Sequence, residues 1–162
     1  MSYLYGLDLS MENTGVTIFD LSTDEPTPIH ISSIATNKKH THGKRLYYIA
    51  KELMELKEIY PPSIITIERG FSRFNTSTQV IYRVHGLVNY LFHNVEQVYY
   101  PPKKVKEAII RGDASKKLVR QIIESKYPEV TFEDEDQSDS FAVALTYIII
   151  NKIIIYKKKL VK

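Results

Sequence analysis

At 162 residues the chain is long enough to bury the core of one domain. Its 43% apolar and 25% charged content is ordinary for a soluble globular protein, and the absence of cysteine excludes disulfides, thiolate catalysis and cysteine-based zinc sites. A net charge of +3 is too mild to name a partner by itself.

Residues 3–9 and 15–19 read as two strands joined by a tight turn, Ser10-Met11-Glu12-Asn13-Thr14. Pro26-Thr27-Pro28 breaks the chain ahead of a third strand at 29–34, and the short links between the three predict an antiparallel meander. The polar segment 37–43, with His40 and His42, reads as a loop. Leu46, Ile49, Ala50, Leu53, Met54 and Leu56 recur at helical spacing, which predicts a helix over 44–59 that Pro61-Pro62 stops. Residues 63–67 form a short apolar run, the pattern of a strand buried on both faces. A polar connection at 72–75 leads to a helix over 76–93 with Gly86 inside it, then a fifth strand at 97–100 ended by Pro101-Pro102. Helices at 103–110 and 114–126 follow, then the acidic loop Glu133-Asp134-Glu135-Asp136 and a last helix. The apolar part of that helix, 141–155, is interrupted by Asn151 and Lys152 and is shorter than the ~20 residues a membrane span needs, so it reads as buried in the protein. The N-terminus lacks the basic segment and apolar core of a secretory signal, which makes the cytoplasm the expected location.

This order predicts an α/β fold: a mixed five-stranded sheet, antiparallel meander first and parallel strands after, flanked by helices. Residues 1–156 read as a single domain and 157–162 as a basic C-terminal tail.

Four acidic residues stand where acid is hard to justify. Asp8 interrupts the apolar strand Leu4-Tyr5-Gly6-Leu7-Asp8-Leu9, and Glu68 ends another, Ile64-Ile65-Thr66-Ile67-Glu68. Asp136 and Asp139 open the last helix one turn apart, so their side chains share a face. Strands disfavour Asp, and carboxylates brought together raise one another's pKa values unless a cation joins them. Oxygen-only ligand sets suit Mg²⁺ or Mn²⁺, and two such ions ~4 Å apart stabilise both oxygens of an in-line phosphodiester displacement. Each acid also has a plainer reading. An acidic turn before a helix is commonly an N-terminal cap, Asp8 a hydrogen-bonded turn residue, and Glu68 a surface charge at a strand end.

Basic residues gather between Lys103 and Lys126: Lys103, Lys104, Lys106, Lys116 and Lys117 among them. They can neutralise phosphates and release counterions, or serve only as a solvated helix face. Beside Glu68, Arg69, Phe71, Arg73 and Phe74 interleave cation and aromatic. A loop of that composition grips phosphates while wedging or stacking at opened base steps; the alternative is that Phe71 and Phe74 anchor it to the core. Lys157-Lys158-Lys159 can add phosphate contacts or simply solubilise the end. His40, His42, His85 and His93 follow no metal-ligand spacing and read as surface or structural residues.

Gly6-Leu7-Asp8 followed by Thr14-Gly15 resembles the first strand and turn of the RuvC-type Holliday junction resolvases. Ile67-Glu68-Arg69-Gly70-Phe71 is similar to their second acidic segment, Val105-Lys106 with Gly112 and Ala114-Ser115-Lys116 to their basic stretch, and Asp136-Gln137-Ser138-Asp139-Ser140-Phe141-Ala142 to their closing Asp-x-x-Asp helix. The resemblance implies an RNase H-like fold and a homodimeric endonuclease dependent on Mg²⁺, with Mn²⁺ as a substitute and two ions in the site. Its partner would be branched DNA, four-way junctions above all. It puts Asp8, Glu68, Asp136 and Asp139 in metal-ligand and catalytic roles, with Lys116 added to the catalytic set. Lys106 and Lys116 fall where family members place phosphate-contacting lysines, and Phe71 where an aromatic stacks near the junction crossover. Leu9-Ser10 replaces the family's Pro-Gly, one glycine is missing before Gly112, and Tyr147 stands where many relatives carry His. This divergence points to a viral or phage member acting in a host cytoplasm.

Two other functions stay open. One is a protein of the same fold that binds branched DNA without cutting, which the departures at Leu9-Ser10 and Tyr147 motivate. The other is an actin-like ATPase, whose first strand also carries Gly-x-Asp; the chain lacks room for that family's two lobes and shows no second phosphate loop.

Overall fold

In the computed structural model, which describes residues 1–70 and 75–151, one five-stranded sheet organises the chain. Its strands are β1 Tyr3–Asp8, β2 Asn13–Asp20, β3 Thr27–Ala35, β4 Pro62–Glu68 and β5 Glu96–Tyr100, in the spatial order β3-β2-β1-β4-β5. The first three pair antiparallel, and β4 and β5 join parallel to β1. The helices are α1 His42–Ile59, α2 Asn75–Leu91, α3 Pro102–Ile109, α4 Lys116–Lys126 and α5 Glu135–Ile150. Every expected element is present, and the sheet is mixed in the expected sense.

The differences lie at boundaries and have local causes. β3 starts at Thr27, so Pro28 sits inside it rather than ahead of it. Pro28 lies opposite Phe19 where the register shifts, and β3 is an edge strand, where a missing N–H is tolerated. α1 starts at His42 because Thr41 caps it, accepting from the Lys44 amide at 3.2 Å. α4 starts at Lys116 for the same reason: Ser115 accepts from the Leu118 amide at 3.1 Å. The Lys157-Lys158-Lys159 tail lies outside the described residues, as does the end of the apolar run beyond Asn151. No helix among the described residues is long and apolar enough to cross a membrane.

Strand periodicity sorts the side chains onto two faces. Tyr3, Tyr5, Leu7, Ile65 and Ile67 pack with Ile49 and Leu53 of α1, Val84 and Val88 of α2, and Phe92 just past the end of α2. The other face holds Leu4 and Phe19 against Phe141, Ala144, Leu145 and Ile148 of α5, with Val105 of α3 and Ile123 of α4 behind. Each fully buried Leu, Ile or Phe contributes roughly 1.5–3 kcal/mol through removal from water, so both layers are needed.

Gly6 and Gly15 decide how close α5 comes. A Cβ on Gly6 would stand 2.2 Å from the Ser140 carbonyl oxygen, and one on Gly15 2.0 Å from that of Asp136. Two strands without side chains at these points let the start of α5 lie directly on β1 and β2. A hydrogen bond of 2.8 Å between the Thr17 and Ser140 hydroxyls pins the contact.

Candidate active site

Asp8 follows Leu7 on β1 and Glu68 follows Ile67 on β4, and Leu7 and Ile67 are register partners. The two acids therefore stand side by side at the carboxyl ends of neighbouring parallel strands, the usual place for a ligand in α/β sheets. Alternation turns both toward the α5 face, because Leu7 and Ile67 point the other way into the α1–α2 layer. Asp139, one turn into α5, arrives over them through the close approach at Gly6 and Gly15. The result is a cavity of about 400 Å³ lined by Asp8, Glu68 and Asp139 together with Lys106 and Lys116.

The electrostatics are those of crowded acids. Burial, followed by the charges of Asp139, Glu68 and Asp136 and a hydrogen bond to the Asp136 carboxylate, pushes the Asp8 carboxyl up to about 8. Burial and then Asp139 raise Glu68 to about 7, against the pull of Lys116 and Lys106. Asp139 is also raised: burial outweighs the Lys116 ammonium, which lies 2.5 Å away, and Glu135 and Asp136 add to the repulsion. Burial works against the charge of Lys116, but Asp139 and then Glu68 and Glu135 hold that ammonium protonated beyond its ordinary range. Three carboxylates thus stand against Lys106, Lys116 and Arg69 in the lining, and burial keeps all three acids above their ordinary range in spite of these cations.

Asp136 is placed by the opposite side of the sheet end. Asn13, first residue of β2, donates to it at 2.7 Å and to Asp134 at 3.1 Å. Asp134 caps α5 by accepting from the Gln137 amide at 2.8 Å and also accepts from the Ser33 hydroxyl; Gln137 in turn donates to Ser33 at 3.0 Å. Although burial opposes it, this set of donors keeps Asp134 below the ordinary carboxylate range. The capping role that the acidic turn invited belongs to Asp134, which leaves Asp136 and Asp139 free of it. Asn13, Ser33, Asp134 and Gln137 carry no spacing signal, because their partners are about a hundred residues distant in the chain.

An all-oxygen set at the ends of two strands and one helix has the donor chemistry of a hard divalent cation. Among the described residues, however, no three acidic or histidine side chains are gathered as a ready-made cage for one ion. Lys116 engages Asp139, and Asn13 engages Asp136.

The remaining expected contact residues divide in two. Lys106 lines the acid cavity from α3 and Lys116 from α4, and Arg69 is exposed at its rim. Lys103, Lys104 and Lys117 are exposed on α3 and α4, with Lys103 4.0 Å from Glu107. Phe71, Arg73 and Phe74 lie outside the described residues.

Comparison with known proteins identifies the family and the fold. Residues 4–147 match the family model described as crossover junction endodeoxyribonuclease RuvC. The RuvC of Prochlorococcus marinus subsp. pastoris is 27% identical over 150 residues, covering 88% of this chain and 94% of its own. That of Xanthobacter autotrophicus is 28% identical over 150 residues, covering 89% and 88%. Among solved structures, Thermus thermophilus RuvC in complex with a Holliday junction substrate superposes with a TM-score of 0.82 at 18% identity, over 94% of this chain and 96% of that one. The fowlpox virus resolvase bound to Holliday junction DNA gives 0.60 at 15% identity, over 93% and 98%. The fold is RNase H-like, and with its family model matched from β1 to near the end of α5, the chain belongs to the RuvC family of crossover junction endodeoxyribonucleases.

Proposed function

We propose that this chain is a structure-selective endonuclease that cleaves four-way DNA junctions by phosphodiester hydrolysis, acting as a homodimer in the cytoplasm. The observation that carries the reading is the cavity in which Asp8, Glu68 and Asp139 meet beside Lys106 and Lys116. Half-buried acids facing two lysines suit a polyanionic substrate with counterions, and they have no structural use that apolar residues would not serve better. Twofold symmetry would present two such sites to a pseudo-symmetric junction.

Asp8, Glu68, Asp136 and Asp139 would hold divalent cations, Mg²⁺ or Mn²⁺, two of them if all four acids serve. When bound, such ions supply positive charge to the reacting phosphodiester. The protein's own part is positional and protonic. Asp8 holds a proton toward Asp136 near neutral pH and must release it before all four acids can serve as ligands. Lys116, charged throughout, exchanges its bond with Asp139 for a phosphate oxygen, and Lys106 neutralises a second one from α3. The products expected are a 5′-phosphate and a 3′-hydroxyl.

Asn13 positions Asp136. In Asn13→Leu, the Mg²⁺ needed for half-maximal cleavage should rise about tenfold or more, the usual cost of removing a group that orients a ligand. The Mg²⁺-induced rise in melting temperature should shift to higher metal by the same factor. Titrations that overlay those of the wild type would remove Asn13 from this role.

The decisive experiment is cleavage of a synthetic four-way junction against plain duplex of the same sequence, with and without Mg²⁺. Mg²⁺-dependent cutting confined to the junction supports the proposal. The engagement of Asp139 by Lys116 favours one other reading, a protein that binds branched DNA without cutting. Tight junction binding with no cleavage in Mg²⁺ or Mn²⁺ would establish that one.

A further inference from the structure

Between Glu25 and Glu52 the chain has no Asp or Glu, while Lys38, Lys39, Lys44, Arg45 and Lys51 all fall there. In the fold this stretch builds β3, the loop after it and the first turns of α1, and the five basic residues fall in the loop and the helix. Lys44, Tyr47, Tyr48 and Lys51 recur at helical spacing and form one exposed face. Tyr47 is 72% exposed and Tyr48 43% exposed, although neither shields any core. Arg45, at the edge of this face, is buried and tied down, donating to Thr36 at 2.7 Å and to the Met11 carbonyl at 3.1 Å. The face is therefore rigidly attached to the β1–β2 turn, the same turn whose ends carry Asp8 and Asn13.

A cavity of about 350 Å³ opens on this face, lined by Asn37, His40, Lys44, Tyr47, Tyr48 and Lys51. It is not isolated. It shares Arg45 with a groove along Ser10, Met11 and the start of α2, and that groove shares Ile81 with the acid cavity. Among the described residues lining the groove, Glu12 is the one carboxylate, and Lys38 pairs with it at 2.7 Å. The pair of Lys51 with Glu55, 3.8 Å apart and exposed, holds that lysine weakly and leaves it available.

We propose that the Lys44-Tyr47-Tyr48-Lys51 face, with Lys39 and His40 beside it, is a second DNA contact that receives a strand leaving the acid cavity along this groove. The lysines neutralise backbone phosphates, and the two exposed rings give an unpaired base a sequence-tolerant stacking surface. A purely solvated basic face would need no tyrosines at its centre. The proposal rests on DNA being the substrate and adds where the substrate travels after the cleavage site.

The test is junction binding by the full-length protein in EDTA, where no cutting occurs, followed by fluorescence anisotropy over a salt series. K39Q/K44Q/K51Q should lower the slope of log Kd against log salt by about 2–3, because each phosphate contact contributes roughly 0.9. Y47A/Y48A should weaken binding to a junction bearing unpaired bases about fivefold or more, and Y47F/Y48F should restore it. Thermal melting equal to that of the wild type certifies the fold of each variant. An unchanged salt slope in the lysine variant, or a phenylalanine pair no better than the alanine pair, overturns the proposal. A wild-type chain that binds no junction would overturn both this contact and the endonuclease reading. Wild-type binding with variants indistinguishable from it would overturn the contact alone.

Discussion

Asp8→Asn should abolish junction cleavage and at the same time make the metal-free protein more stable. The carboxyl sits among Glu68, Asp136 and Asp139, and burial with those charges raises it to about 8. Folding the free protein therefore works against this group, either by desolvating its charge or by forcing a proton onto it. The amide has the same shape and carries no charge, so the conflict disappears. At pH 8 in EDTA the melting temperature should rise, by roughly 2–4 °C for each kcal/mol relieved in a protein of this size. Cleavage should fall by roughly 10³-fold, the scale on which a single electrostatic contributor to a transition state counts. Junction binding in EDTA should persist, because Lys106 and Lys116, the lysines proposed to meet phosphate, are untouched. Wild-type cleavage by Asp8→Asn would remove the residue from the active site. Loss of cleavage with a lowered melting temperature would mean that Asp8 supports the fold instead.

The second large effect is a stability that falls with rising pH and returns with Mg²⁺. Asp8 and Glu68 have ordinary values of 3.8 and 4.5 in the unfolded chain, and in the fold they stand at about 8 and about 7. Between about pH 4 and pH 8 the native state thus binds more protons than the unfolded state. Unfolding then releases protons, so raising the pH favours unfolding throughout that window. In EDTA the melting temperature should be higher at pH 5.5 than at pH 8. Divalent cations bind the ionised carboxylates, so Mg²⁺ should add more to the melting temperature at pH 8 than at pH 6, and the two profiles should converge toward acid. Thermal melts over this range with EDTA or Mg²⁺ give the answer directly. A flat EDTA profile, or an Mg²⁺ increment that does not grow with pH, would mean that the acids are not coupled in the way the fold arranges them.

Much of the architecture was legible in local patterns. Helical spacing marked α1 through Leu46, Ile49 and Leu53, and Pro61-Pro62 and Pro101-Pro102 marked where α1 and β5 stop. Short links between consecutive strands marked the meander. Boundaries were less legible where a single capping hydroxyl decided them, as Thr41 and Ser115 do. Pro28 misled for a different reason: a proline ends most strands, but an edge strand accepts it at an irregular position.

The candidate site was legible as four anomalies rather than as a place. Asp8 and Glu68 stood out because strands avoid acid, and Asp136 with Asp139 because helical geometry puts them on one face. Residue types and near-neighbour spacing thus determined the elements, the two-faced sheet and the odd carboxylates, since these depend on interactions within a few residues. Only the tertiary structure decided that Leu7 pairs with Ile67, that Gly6 and Gly15 admit α5 onto the sheet, and that Asn13 rather than a cap geometry holds Asp136. It also decided that Lys116 meets Asp139, and that Arg45 and Ile81 line a groove lying between the cavity of the α1 tyrosines and that of the acids. These contacts join segments far apart in the chain, where neither side chain constrains its partner until packing has fixed the distance between them.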